Sequence, residues 1–120
     1  MRKSRQVAVA NKTKQTMLGS RIRVAETSIA RGVGLLATKH LDPGDGLWII
    51  PSSGIHTFGM RFLIDVVALD RNLRVLGLWE RLGGFRLAAL NWKTRSVLEL
   101  PAGAIRESGT ELNDQLVVKS

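Results

Sequence analysis

Two apolar runs, residues 62–69 and 73–79, flank the tripeptide Asp70-Arg71-Asn72, and this juxtaposition constrains the fold more than any other feature of the chain. A short turn-forming segment between two runs rich in Val, Leu, Ile and aromatic residues is the signature of a β-hairpin. Of the three turn residues, Asn72 adopts the left-handed conformation at modest cost. With residues 60–69 extended, Met60, Phe62, Ile64, Val66 and Ala68 occupy one face and Arg61, Leu63, Asp65, Val67 and Leu69 the other. Both faces are largely apolar, so the strand is expected to be covered on both sides. In the second run Leu73, Val75, Gly77 and Trp79 are expected to share a face, with Arg74 opposite.

The rest of the chain is punctuated as densely. Residues 7–10 read as an opening strand and 11–13 as a turn, while 22–25 alternate apolar with polar or small residues as a half-buried strand does. Thr27 or Ser28 is placed to cap a short helix through about Lys39, weakened by Gly32 and Gly34. Residues 40–46 contain Pro43, Gly44 and Gly46 and read as a loop before a buried strand at 47–50 that ends at Pro51. Residues 97–100 form a further strand. Pro101 suits the first turn of a second helix through about Glu107, with Gly109 as its stop, and 116–118 return to the sheet. The expectation is a mainly β fold, a compact single-domain sheet or partly open barrel with two short helices, with no internal repeat and no linker.

At 120 residues the chain has the length of one ordinary domain. It contains no cysteine, which excludes disulfides, thiolate zinc sites and cysteine nucleophiles. The first 23 residues lack the apolar core of a signal peptide, and charges interrupt every later run, so a cytoplasmic protein without membrane contact is expected. The net charge of +8 is concentrated at the N-terminus, where Arg2, Lys3, Arg5, Lys12, Lys14, Arg21 and Arg23 precede the first acidic residue, Glu26. Residues 1–14 therefore read as a basic arm on a globular domain of 15–120. Such an arm attracts phosphates without reading sequence, and a solvated tail that aids solubility is the simpler reading.

Asp65 carries the chemistry. Its strand neighbours predict burial, and a buried carboxylate without a partner costs several kcal/mol or takes up a proton. Arg61 shares its face but lies about 13 Å away at ~3.3 Å per residue. His56, on the preceding loop, is the natural partner, and an imidazole held by a carboxylate has its tautomer fixed and its pKa raised. The alternative is that Asp65 caps backbone amides of an adjacent loop while His56 only packs. His56, Asp65 and His40 match no dense metal-ligand spacing, so no metal and no cofactor is nominated. Asp42 and Asp45 bracket a Pro-Gly turn and lack the later acid of a calcium loop. The glycines at 32–34 and 83–84 lack the context of a nucleotide cradle. Glu99 is the secondary candidate: with Asp65 it forms a carboxylate pair if their strands are adjacent and both groups face one cleft.

The segment 51–70, with His56-Thr57-Phe58-Gly59-Met60-Arg61-Phe62 and Ile64-Asp65-Val66-Val67, resembles the family catalogued as domain of unknown function 192. The resemblance extends through Arg31, Gly34-Leu35-Leu36 and Gly46-Leu47, and through Val97-Leu98-Glu99-Leu100-Pro101-Ala102-Gly103 to Asp114, covering roughly residues 7 to 118. It implies a small, predominantly β domain of unassigned biochemical function and no enzyme class. Two departures stand out. Ser52 occupies a place where many relatives carry cysteine, which puts any thiol-dependent role in doubt. Leu63 stands where proline often follows Met-Arg-Phe, and restores a backbone N–H.

Three functions follow as expectations. The first is a non-catalytic small-ligand or partner-binding domain whose pocket is rimmed by His56, Thr57, Met60, Arg61 and Asp65, with Arg61 available to an anionic group. The second is a hydrolase-like or metal-assisted enzyme using His56 and Asp65, with Glu99 as a further acid. The third, not favoured, is a nucleic-acid binder that uses the basic arm with Phe58, Trp79 and Trp92 for stacking.

Overall fold

The computed structural model describes residues 5–26, 41–52, 55–56, 60–84, 87–88 and 92–120, with 55, 56, 60, 61, 84, 87 and 88 described in their backbone alone. In chain order the elements are β1 (Gln6–Asn11), β2 (Thr16–Ala25), β3 (Asp45–Ile49), β4 (Ile55–His56), β5 (Met60–Leu69), β6 (Val75–Gly84), β7 (Leu87–Ala88), β8 (Ser96–Pro101), α1 (Ala104–Ser108) and β9 (Leu116–Lys119). Seven strands form one sheet in the order β6-β5-β8-β3-β2-β1-β9, and β4 pairs with β7 separately. Neighbours in the large sheet are antiparallel except β2 and β3, which run parallel.

The two outer strands meet at one end. Arg74, just before β6, bridges to Gln115, just before β9, and the amides of Val75 and Leu116 donate to Asp114 O and Leu73 O at 2.9 Å each. The sheet thus curls into a half-barrel, the mainly β and partly open arrangement expected from the strand pattern. Its inner face holds the main apolar cluster, including Val9, Ile22, Trp48, Val67, Leu69, Leu98, Leu100 and Ile105. A second cluster of Ala25, Leu47, Ile49, Ile64, Val66 and Val97 lies on the outer face. Residues 64–69 of β5 and 96–100 of β8 are buried throughout because both clusters press on them. Among the described residues no helix is long and apolar enough to cross a membrane.

Four expectations need correction. The expected 1–14 arm is not separate from the domain: residues 6–11 are β1, hydrogen-bonded between β2 and β9 with Val7, Val9 and Asn11 buried. Alternating apolar residues there outweigh the flanking positive charge. In the hairpin, the left-handed residue is Leu73, at φ 64, rather than Asn72. The Asp70 carboxylate accepts the amides of Asn72 at 2.8 Å and Arg74 at 2.9 Å, so the turn is tied by a side chain and its sharp step falls one residue later. A bulge separates the pairs Leu69↔Val75 and Ala68↔Gly77, so Val75 turns into the inner cluster while Gly77 and Trp79 turn outward. The second helix is shorter than expected, because Pro101 stays in β8 and α1 begins only after Gly103. Gly109 does stop it, at φ 67. The helix expected through Lys39 lies outside the described residues.

Candidate functional site

Asp65 is fully buried at the inner side of β5, opposite Leu100 of β8. Its company is backbone. Oδ1 accepts the amide of Arg81 at 3.0 Å, and Oδ2 accepts those of Gly103 at 3.1 Å and Ile105 at 2.9 Å. Three N–H donors on the two oxygens offset the cost of taking the side chain out of water. The arrangement fastens β6, at a residue with φ 56, and the start of α1 to β5. This is the backbone-capping alternative open to the sequence. The expected contact with His56 lies outside the described side chains, as does Thr57 entirely. In the backbone, His56 pairs with Leu87, and Met60 with Gly84 at the start of β5, next to Arg61.

Glu99 lies one strand away but on the other face. It is opposite Val66, the neighbour of Asp65, and side chains of successive strand residues point to opposite sides. The two strands are adjacent, as the carboxylate pair required, but the two acids do not share a cleft. Register instead places Glu99 at the centre of a row across the outer face: Arg23 of β2, Leu47 of β3, Glu99 of β8, Val66 of β5 and Trp79 of β6. Along its own and neighbouring strands lie Val97, Ile49 and Ile64, with Phe62, Leu82 and Leu41 packed against them.

Only 4 % of Glu99 is exposed, and no described residue donates a hydrogen bond to its carboxylate. Burial among aliphatic groups pushes its pKa up to about 7. On the same face Asp45, two residues before Leu47, is held by Arg21, whose Nε donates to Oδ1 at 2.8 Å. The Trp79 ring lies over Gly77, where an added Cβ would come within 2.5 Å of the indole, so glycine there is what lets the ring lie flat along β6.

Sequence reasoning nominated Glu99 and Trp79 separately and missed Arg23 and Leu47 as their row-mates. The alternation of Arg23 with the inward Ile22 and Val24 was the available signal. The parallel register of β2 with β3 joins segments more than twenty residues apart and has no local signature. Among the described residues three buried side-chain atoms lack a hydrogen-bond partner, Trp48 Nε1, Thr94 Oγ1 and Ser96 Oγ. Among the described residues no group of three or more potential metal ligands occurs.

Fold and site together define a small β domain, a seven-stranded half-barrel with one buried carboxylate on each face of its central strands. The chain belongs to the family of domain of unknown function 192, described as an uncharacterized ACR, whose model matches residues 7–118. It is 30% identical over 111 residues to a UPF0127 protein of Thermococcus sibiricus, covering 88% of this chain and 71% of that protein. The fold is similar to a crystal structure of a Novosphingobium aromaticivorans protein of unknown function, with a TM-score of 0.79, 18% identity, and coverage of 93% and 83% of the two chains. It is similar also to a Sinorhizobium meliloti protein described as a candidate transcription regulator, with a TM-score of 0.74, 15% identity, and coverage of 98% and 97%. At these identities the likeness concerns the fold alone.

Proposed function

We propose that the domain is a non-catalytic binding module that holds a small ligand against Glu99 on the outer layer of the half-barrel. One observation carries this reading: a carboxylate buried in an aliphatic layer with no donor among the described residues. A titratable group placed so, with its pKa displaced to about 7, is the kind of group that binding sites contain. Asp65 acts in this reading as scaffold, since its oxygens are engaged by three amides. His56, Thr57 and Met60 remain the proposed rim.

A thermal-shift screen of amines, sugars, nucleotides, anions and metals on the wild type, Glu99→Gln and His56→Ala tests the reading. A ligand at about 100 times its Kd stabilises the native state by about 2.7 kcal/mol, enough to shift Tm by several degrees. The expected result is a hit lost in Glu99→Gln. Hits that all survive both substitutions would overturn it.

Acid–base catalysis is a second reading, favoured by one observation: a carboxyl with pKa about 7 suits proton transfer at neutral pH. It requires a second group within reach, and Asp65 faces the other way. Turnover of any ester or glycoside probe that Glu99→Gln abolishes would promote it over simple binding.

A further inference from the structure

We infer that a second surface, distinct from the layer around Glu99, binds single-stranded nucleic acid: cations across the seam of the half-barrel hold the phosphates, and the indole of Trp92 beside them stacks on a base. The placement of the cations follows from the pairing at the seam. Arg74 bridges to Gln115, and the amide of Lys12 donates to Gln115 O at 2.8 Å. On the other side of Arg74 stands Asp70, whose amide donates to Arg74 O, and beyond it Arg95, whose amide donates to Leu69 O at 2.8 Å. Lys12, Arg74 and Arg95 therefore form a row with intervals of about 10 Å, two strand spacings of ~4.8 Å each. Arg71 lies in the turn between Asp70 and Arg74. The chain neighbours Asn11, Val75 and Ser96 are buried, so alternation turns the three row cations outward, and all four cations are exposed.

Two features set this row apart from an ordinary solvated face. The first is that the acids around it are already engaged. Asp70 Oδ1 accepts the amides of Asn72 and Arg74, Asp114 is held by Lys14 and Asn11, and Glu111 pairs with Lys14. Lys12, Arg71, Arg74 and Arg95 enter no ion pair among the described residues. Arg74 Nη1 donates to Asn113 O at 2.9 Å, which fixes the guanidinium and leaves its charge unmatched. Such a concentration of positive charge gains by taking up phosphates and releasing their counterions.

The second feature is Trp92, three residues before Arg95. It is 81 % exposed, and Lys93 Nζ lies 5.5 Å from the centroid of its ring. An open indole among cations offers a face for a base while its neighbours hold the backbone, the pairing of stacking and charge by which single strands are bound without regard to sequence. A duplex presents the same phosphates but keeps its bases stacked inside. An anionic bilayer attracts the same charges, but one exposed indole on this loop lacks the broad apolar face that insertion uses.

Fluorescence anisotropy of labelled oligo(dT) and oligo(rU), each about 20 nucleotides long, tests this on the full chain. Binding is expected, with log affinity falling against log salt at a slope of about −3, roughly −0.7 for each of four phosphates. The triple variant Lys12→Gln, Arg71→Gln, Arg95→Gln should reduce that slope to about −1 and weaken binding at least about tenfold. Arg74 is left in place because its bond to Asn113 ties the seam. Trp92→Ala should weaken binding at least about fivefold with the slope unchanged, which separates the indole's role from that of the charges. Lys119→Ala removes an exposed cation outside the row and should change affinity less than about twofold. With this pattern present, tighter binding of oligo(dT) assigns the strand to DNA and tighter binding of oligo(rU) assigns it to RNA. Absence of salt-dependent binding to either, or a loss in Lys119→Ala equal to that in the triple variant, would overturn the inference. So would a duplex of the same length bound as tightly as the single strands with Trp92→Ala silent, or phosphatidylserine vesicles bound in preference to both oligonucleotides.

Discussion

Glu99 and Asp65 are two acids in neighbouring strands with opposite fates, and the difference lies in what each face offers. Asp65 meets three amide donors, whereas Glu99 meets aliphatic side chains. The consequence for stability is measurable. Glu99 ionises near 4.5 in an unfolded chain and about 7 in the folded one. Between those values the unfolded state has released a proton that the native state keeps, so stability falls as pH rises through that window and levels off above about 7. At about 1.4 kcal/mol per pH unit the loss totals about 3 kcal/mol. Glu99→Gln removes the titration, so the variant should lose less stability than wild type between about pH 5 and about pH 8 in urea unfolding. Identical slopes for the two proteins would mean that this carboxyl is better solvated than its surroundings imply. That Asp65 must find a partner was legible from its apolar neighbours. Which partner was not, because the donors lie 16, 38 and 40 residues along the chain and are backbone groups without residue identity.

At the scale of elements, Asp65 fastens three of them together: β5 carries it, β6 is gripped at Arg81, and α1 at Ile105. Asp65→Asn keeps the shape but replaces one acceptor oxygen by an NH₂ group that faces N–H donors. The expected loss is about 2–4 kcal/mol, with faster hydrogen exchange at the amides of Arg81 and Ile105 than at β1. Uniform loss of protection across the sheet would show that Asp65 does not act locally. Gly77 plays a comparable part on the outer face. Gly77→Ala places a methyl within 2.5 Å of the indole and forces Trp79 to a new position, so its fluorescence should shift while most of the fold survives. An unchanged spectrum would count against the flat placement of that ring. Strand positions were largely legible from alternation and turn residues. The face carried by each residue of β6 was not, because a one-residue bulge reverses the pattern and leaves no mark in composition.

At the scale of the whole molecule, the half-barrel depends on residues that look dispensable in the sequence. β1 lies between β2 and β9, and its last residue, Asn11, is buried with its Nδ2 donating to Asp114 Oδ2 at 2.9 Å and Thr110 Oγ1 at 3.1 Å. Lys14, in the turn that follows, donates to both oxygens of Asp114 and pairs with Glu111 at 2.8 Å. For Asp114 burial pulls its pKa upward, but the bonds from Lys14, Asn11 and the Glu111 amide outweigh it and hold the carboxyl below its usual range. The same contacts change the meaning of the N-terminal charge. Arg5 pairs with Glu26, Lys14 with Asp114 and Arg21 with Asp45, so part of the basic excess is matched within the fold rather than displayed to phosphates. Removing residues 1–14 therefore tests two architectures at once. If they formed an arm, the truncated protein would unfold with unchanged midpoint and cooperativity. With β1 inside the sheet, truncation exposes the edges of β2 and β9, uncovers Ile22 and Leu116 of the inner cluster, and strands the buried Asp114 without Asn11 and Lys14. An unpaired buried carboxylate and an opened core each cost several kcal/mol, of the order of the whole stability of a domain this size. The truncated chain should give no cooperative unfolding transition and should aggregate through its bared strand edges, whereas restoring only residues 5–14 should recover the native transition.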